Sequence, residues 1–204
     1  NPEEPVFNLQ EITLGNTVGN NYEVLSGLQN GDKVVTNGTF TVDAAAQLQG
    51  KNSMMNQPEK ISAEDKQQLE PLLNHYLNLK NALFTDDFQK AKNEVSRLSA
   101  IISDLNTKNI EDWNKFQKQF TSRIAIMNSS EDIKGIRSSF DELSAAVIGL
   151  IKTTQPNNNL LYVQHCPMAD NKRGADWLSL SSEIQNPYLG GEMPDCGNVT
   201  DTIN

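Results

Sequence analysis

The sequence predicts a mainly α-helical protein of the α+β class: an antiparallel four-helix bundle with an irregular C-terminal tail, preceded by a small β fragment. Short β-type runs separated by glycine and asparagine fill the first 50 residues. Between residues 62 and 155, apolar residues recur at spacings of three and four, which is the period of an amphipathic helix. Beyond residue 155 the chain is rich in Pro, Gly, Asn and Ser, a composition typical of loops.

The β-type runs predict four short strands. These are Val6–Leu14, Tyr22–Leu25, Lys33–Thr36 and Thr39–Val42. Four short strands alone bury little apolar surface. Residues 1–50 are therefore interpreted as a fragment of a larger β-domain whose other strands lie upstream of Asn1. The polar residues 51–61, which include Pro58, are interpreted as a linker.

Four apolar stripes predict the helices. The first begins near Ser62 and contains Pro71, where we expect a kink or a new helix, because proline removes a backbone hydrogen bond. The stripes are Leu69, Leu72, Leu73, Tyr76, Leu77 and Leu83; Phe88, Ala91, Val95, Leu98, Ile102 and Leu105; Trp113, Phe116, Phe120, Ile124 and Met127; and Ile133, Ile136, Phe140, Leu143, Val147 and Leu150. Short polar links join them, which favours an antiparallel bundle, and residues 62–204 are taken as one domain.

Charge and composition exclude several functions. The net charge of −9, with no cluster of Lys and Arg, argues against a nucleic-acid partner. No apolar run approaches the roughly 18 residues of a membrane span. The sequence contains neither a Gly-rich phosphate loop nor a marked pair of carboxylates, so we expect no enzyme and no catalytic residues. It starts without a leader, so we expect a mature or truncated chain.

Potential metal ligands gather at the two ends of the tail. His165, Cys166 and Met168 lie near its start, and Met193 and Cys196 near its end. These nine positions, 165–168 and 193–197, hold both cysteines of the chain and two of its five methionines. Thiolate and thioether ligands favour soft monovalent cations, so the sequence predicts a site for Cu(I) or Ag(I). Zn(II) is the second choice and would add Asp195 as a ligand.

The same cysteines have a second interpretation. Cys166 and Cys196 lie thirty residues apart and could form a disulfide that fastens the tail, with about 3 to 4 kcal/mol of stabilisation in the chain-entropy model. A disulfide removes both thiolates, so a metal role requires the reduced state. Both interpretations require the two cysteines to lie close together in the fold, and the sequence leaves the choice open.

Other notable side chains have structural interpretations. Trp177 and Tyr188 are expected to anchor the tail on the bundle, and Met127 is expected in the core. His75 is expected at the rim of the bundle. Met54 and Met55 are expected in solvent within the linker.

Two stretches resemble a known family. Residues 22–38 (YEVLSGLQNGDKVVTNG) are similar to the end of the membrane-proximal β-domain of periplasmic adaptors, the membrane fusion proteins of RND efflux pumps. Cys166-Pro167-Met168, residues 174–179 (GADWLS), residues 186–188 (NPY) and Cys196-Gly197 resemble a C-terminal domain of uncharacterised function appended to CusB-like copper and silver adaptors. The helical region fits that domain too. Cys-Pro-Met also resembles short heavy-metal-binding modules, although Ala169 stands here in place of their histidine.

The resemblance implies a periplasmic adaptor of a heavy-metal efflux pump. Its implied partners are the inner-membrane RND pump and the outer-membrane channel, with membrane association through that complex or through an N-terminal anchor upstream of Asn1. A homo-oligomer is compatible with this role. The alternative from another class is a structural or protein-interaction bundle with a Cys166–Cys196 disulfide and no metal role.

Overall fold

The structure is a computed structural model that describes residues 7, 10–19, 21–48, 61–105, 107, 110, 112–155 and 159–203. The chain divides into two compact units, Asn1–Gln57 and Pro58–Asn204. The predicted linker residues 51–60, with Met54 and Met55, lie outside the described residues.

The first unit contains an antiparallel hairpin and a helix. The hairpin strands are β1 (Thr13–Val18) and β2 (Asn21–Ser26), and the helix is α1 (Thr39–Leu48). Two expectations were therefore wrong, because residues 33–36 form no strand and residues 39–42 begin a helix. The run of three alanines that follows explains the helix, since alanine has the highest helix propensity. The first strand also begins later than predicted, at Thr13.

Four long helices of the second unit pack side by side. They are α2 (Ala63–Phe84), α3 (Phe88–Asp104), α4 (Trp113–Ser129) and α5 (Ile133–Thr154). Each helix contacts the next, and α5 also contacts α2. Most of the predicted stripe residues are buried, Met127 among them, while Phe88, Phe116 and Ile133 are partly buried against the same core. The expected helix-rich α+β class with bundle packing is confirmed.

Short polar side chains cap the N-termini of three of these helices. The Ser62 hydroxyl accepts a hydrogen bond from the Asp65 backbone N–H at 3.0 Å, and Asp87 and Asp132 cap α3 and α5 in the same way. Of the two alternatives expected near Pro71, a kink or a new helix, the new helix is wrong, because α2 continues through Pro71 as one element. The apolar face of α2 keeps the helix together despite the lost hydrogen bond.

The expected irregular tail contains a three-stranded antiparallel sheet. Its strands are β3 (Leu161–Cys166), β4 (Ala175–Ser179) and β5 (Asn198–Ile203), in the order β4-β3-β5. The sequence predicted one strand at residues 160–163, which overlaps β3. A helical turn, α6 (Ala169–Lys172), and a short 3-10 helix, Gly190–Glu192, lie in the connections. β5 is mostly polar and exposed, so the chain shows no alternating pattern there.

Four aromatic rings join this sheet to the bundle, and we call them the aromatic column. Tyr76 of α2 stacks on Phe140 of α5 with ring centres 5.5 Å apart. Phe140 contacts Tyr188 at 5.5 Å, and Tyr188 contacts Trp177 of β4 at 5.9 Å. The prediction that Trp177 and Tyr188 anchor the tail is therefore confirmed.

The Tyr76 hydroxyl adds directional contacts to the column. It lies 2.6 Å from the Ser144 Oγ and accepts a hydrogen bond from the Leu178 backbone N–H at 3.1 Å. Burial of the ring raises the pKa of Tyr76 well above its usual value, so the hydroxyl stays protonated. This contact covers the outer edge of β4, where backbone groups would otherwise be open to solvent.

None of the helices in the described part of the chain combines the length and the apolar character that crossing a membrane requires.

Replacing Tyr76 with phenylalanine should lower the free energy of unfolding by about 1 to 3 kcal/mol, because the buried Leu178 N–H loses its acceptor. Chemical denaturation followed by circular dichroism measures this. Ser144→Ala is the matched control and should cost less, since Leu178 keeps its bond to Tyr76. Equal costs for the two variants would contradict the assigned role of the hydroxyl.

Candidate functional site

The candidate site is the pair of cysteines beside the C-terminal sheet. Cys166 is the last residue of β3, the central strand, and is buried, whereas Cys196 lies two residues before β5 and is half-buried. Their Sγ atoms are 2.8 Å apart. The prediction that the two sulfur-bearing ends of the tail meet is confirmed.

The strand register explains this proximity. In the antiparallel pairing of β3 with β5, His165 lies opposite Asn198, so the preceding Gly197 lies beside Cys166. Gly197 has a φ of +141°, and a Cβ added to it would lie 2.6 Å from the His165 carbonyl oxygen. Only glycine lets the backbone approach β3 this closely, and that approach brings Cys196 to Cys166.

Buried Asn186 holds the segment that carries Cys196. Its side-chain amide donates to the Cys196 carbonyl oxygen at 2.8 Å, and its backbone N–H donates to the Pro194 carbonyl at 2.9 Å. Its side-chain oxygen accepts from the backbone N–H groups of Tyr188 and Leu189. Asn186 belongs to the family-like motif at residues 186–188, but the motif alone does not indicate this positioning role. Asparagine suits the role, since one amide both donates and accepts.

A second contact set fixes the loop between β4 and β5 from the bundle side. Arg137 of α5 donates to the Pro187 carbonyl at 2.8 Å and to Asp86 at 2.6 Å, and Asp86 accepts from the Gly191 N–H at 2.9 Å. The Gly191 hydrogen bond, followed by that of Arg137, lowers the pKa of Asp86. Neither residue was predicted from the sequence, because a single Arg and a single Asp far apart in the chain form no pattern.

Both predicted methionine ligands adjoin the cysteine pair through their backbones. The Met168 N–H lies within hydrogen-bonding reach of the Cys196 sulfur, and the Cys196 N–H donates to the Met193 carbonyl at 3.3 Å. Their side chains are 43% and 44% exposed. Two partly exposed thioethers therefore lie on segments that flank the sulfur pair.

The structure does not bring His165 to the sulfur pair. Neighbouring residues of a strand point to opposite faces, and the His165 Nδ1 lies 2.7 Å from Asp176 Oδ1. In the described part of the chain, no three His, Cys, Asp or Glu side chains are grouped so that they could hold a metal ion. The set proposed for Zn(II), with His165 and Asp195 joining both cysteines, is therefore not assembled.

The other histidine, His75, lies away from the cysteine pair. It is at the rim of the bundle, as expected, and its Nδ1 is 2.6 Å from Glu94 Oε2.

The environment of the pair favours protonated Cys196. A hydrogen bond with Cys166 and, secondarily, partial burial raise the pKa of Cys196 to about 11. At neutral pH the Cys196 sulfur of the reduced protein is therefore a thiol that is hydrogen-bonded with Cys166. Metal binding must release protons, because the thiolate is the ligand.

Comparisons with known protein families assign two parts of the chain. Residues 3–43 match the CzcB C-terminal circularly permuted SH3-like domain, and residues 72–159 match a family described as a protein of unknown function (DUF3347). No curated protein and no solved structure matches the chain. The first match indicates the C-terminal region of a heavy-metal efflux membrane fusion protein, and such adaptors are periplasmic. The second match ends before β3 and so excludes the cysteine pair.

Replacing Gly197 with alanine should lower the free energy of unfolding by about 1 to 3 kcal/mol, because the new Cβ would overlap the His165 carbonyl. Thermal and chemical denaturation measure this. The control is Gly149→Ala within α5, where the added Cβ makes an ordinary 3.4 Å contact with Phe116 and the change should stay within about 1 kcal/mol. A Gly197→Ala protein as stable as the parent would show that this close approach is not required.

Reduced protein should react slowly with iodoacetamide at pH 8, and the rate at Cys196 should rise as the pH approaches its pKa of about 11. In Cys166→Ala the hydrogen-bonding partner is gone, so the rate should rise at lower pH. Alkylation at Cys196, followed by mass spectrometry over a pH series, distinguishes the two profiles. Superimposable profiles would mean that Cys166 does not hold the proton on Cys196.

Proposed function

We propose that this chain is the C-terminal part of a periplasmic adaptor subunit in a copper- or silver-exporting RND efflux pump. The family match over residues 3–43 supports the adaptor assignment, and the sulfur ligands of the second unit support the choice of cargo. Its partners would be the inner-membrane RND pump and the outer-membrane channel. We further propose a role without catalysis, in assembly and in handling of the cation.

The cation-handling part of the proposal depends on one observation, the meeting of buried Cys166 and half-buried Cys196 at the end of β3. Two thiolates bind Cu(I) or Ag(I) strongly because sulfur is polarizable. The thioethers of Met168 and Met193 are partly exposed on adjoining segments and would complete the ligand set. His165 is left out of this set, because its ring lies beside Asp176.

A second candidate function is favoured by the same distance. The two sulfurs lie 2.8 Å apart, and a disulfide bond of about 2.05 Å is within reach of that separation. This spacing suits a disulfide, so the second unit would serve as a structural or protein-interaction module with no metal role. The two candidates differ in whether the reduced protein binds a soft cation.

Reduced protein, titrated anaerobically with Ag(I) or Cu(I), should bind the cation through both cysteines. Met168→Leu and Met193→Leu should each weaken binding at least tenfold, about 1.4 kcal/mol, while barely changing the response to Zn(II). Competition against a chelator of known affinity measures each constant.

Met127→Leu is the matched control for these variants. Its side chain is fully buried in α4, so the same substitution there should leave Ag(I) affinity unchanged. If Met168→Leu and Met193→Leu behave like this control, the methionines are not ligands. If the reduced parent binds neither Ag(I) nor Cu(I), the structural candidate is correct and cation handling by the second unit is excluded.

A further inference from the structure

We infer that the Cys166–Cys196 pair is a redox gate for soft-cation capture: oxidised, the two sulfurs form a disulfide, and reduced, they are the two thiolate ligands. This inference rests on the proposed cation handling and names its regulation. A disulfide has no free thiolate, so the two states exclude each other.

The sulfur separation lies between the values that the two states require. A disulfide bond is about 2.05 Å long. Two sulfurs that share a cation with bonds of about 2.3 Å lie about 3.8 Å apart at a tetrahedral angle, and farther apart at wider angles. At 2.8 Å, the pair reaches the disulfide or the tetrahedral arrangement through a movement of about 1 Å, and a linear arrangement through a movement of about 2 Å.

Cys196 is the partner that can make this movement. Cys166 is buried at the end of the central strand β3, which pairs with strands on both sides. Cys196 is half-buried in a turn, and its N–H makes a long 3.3 Å hydrogen bond to the Met193 carbonyl. Asn186 holds the carbonyl side of Cys196, so the side chain can rotate while the backbone stays in place.

The oxidation is a thiol–disulfide exchange, in which the oxidant is a protein or small-molecule disulfide. The more accessible Cys196 attacks as a thiolate, forms a mixed disulfide and releases one thiol of the oxidant. Cys166 then attacks the Cys196 sulfur and releases the second thiol. The protein loses two protons and two electrons, and the oxidant disulfide becomes two thiols.

A soft cation and the oxidant compete for the same two sulfurs. Bound cation should therefore delay formation of the disulfide.

The test compares the parent protein with Cys196→Ser, each equilibrated in oxidised or in reduced glutathione and then freed of glutathione anaerobically. Intact mass, free-thiol count, melting temperature and Ag(I) titration are measured on each sample. Ag(I) is the probe, because it binds sulfur without reducing a disulfide.

The oxidised parent should lose two hydrogens and both free thiols. Its melting temperature should rise by on the order of 10 °C, since the bond closes a loop of thirty residues. Its Ag(I) affinity should fall at least a hundredfold and return on reduction. Cys196→Ser cannot form this disulfide, so its weak Ag(I) binding should be the same after both treatments.

Three results would overturn the gate. An oxidised parent that retains both thiols shows that no disulfide forms, although cation capture by the reduced pair would stand. A disulfide-bonded parent that binds Ag(I) as well as the reduced protein shows that the cysteines do not control capture. A reduced parent that forms the disulfide normally but binds no Ag(I) refutes the proposed cation handling itself, and the gate with it.

Discussion

The aromatic column is the constraint on which the second unit depends. It packs the C-terminal sheet against α2 and α5, because Trp177 and Tyr188 contribute rings from the sheet side, and Tyr76 and Phe140 contribute rings from the helices. Large aromatic rings bury more apolar surface than other side chains, so four of them can hold three short strands that would be unstable alone. Without this packing, neither β3 nor the segment that carries Cys196 would have a fixed position.

The geometry of the cysteine pair follows from that anchoring in two steps. The sheet register brings Gly197 against the His165 carbonyl, and Asn186 fixes the turn that precedes it. These contacts hold the backbone around Cys196. Its half-buried sulfur contacts Cys166 and the Met168 N–H, so a rotation of one side chain is enough to change its bonding partner.

The sequence predicts the helices well and the sheet poorly, for a physical reason. Apolar residues spaced three and four apart lie on one face of a helix, and that face is the buried one. The stripes that contain Leu69 and Phe140 therefore predicted core residues correctly. β5 has one buried residue, Ile203, so it has no alternation to detect. The cysteine pair was predicted because its residue types are rare. The Arg137–Asp86 contact was missed, since it depends on tertiary packing between common residues.

The Leu178 N–H, which donates to the Tyr76 hydroxyl, also affects which side of the sheet opens to solvent and exchanges its amide hydrogens. Amides on an edge strand usually exchange with solvent readily, but this one is buried between β4 and the bundle. The β4 side of the sheet should therefore open only with the whole second unit. On the other side, β5 is mostly exposed, so local fraying there needs far less free energy. Cys196 lies two residues before that strand, so fluctuations of β5 would expose its sulfur while the rest of the unit remains folded.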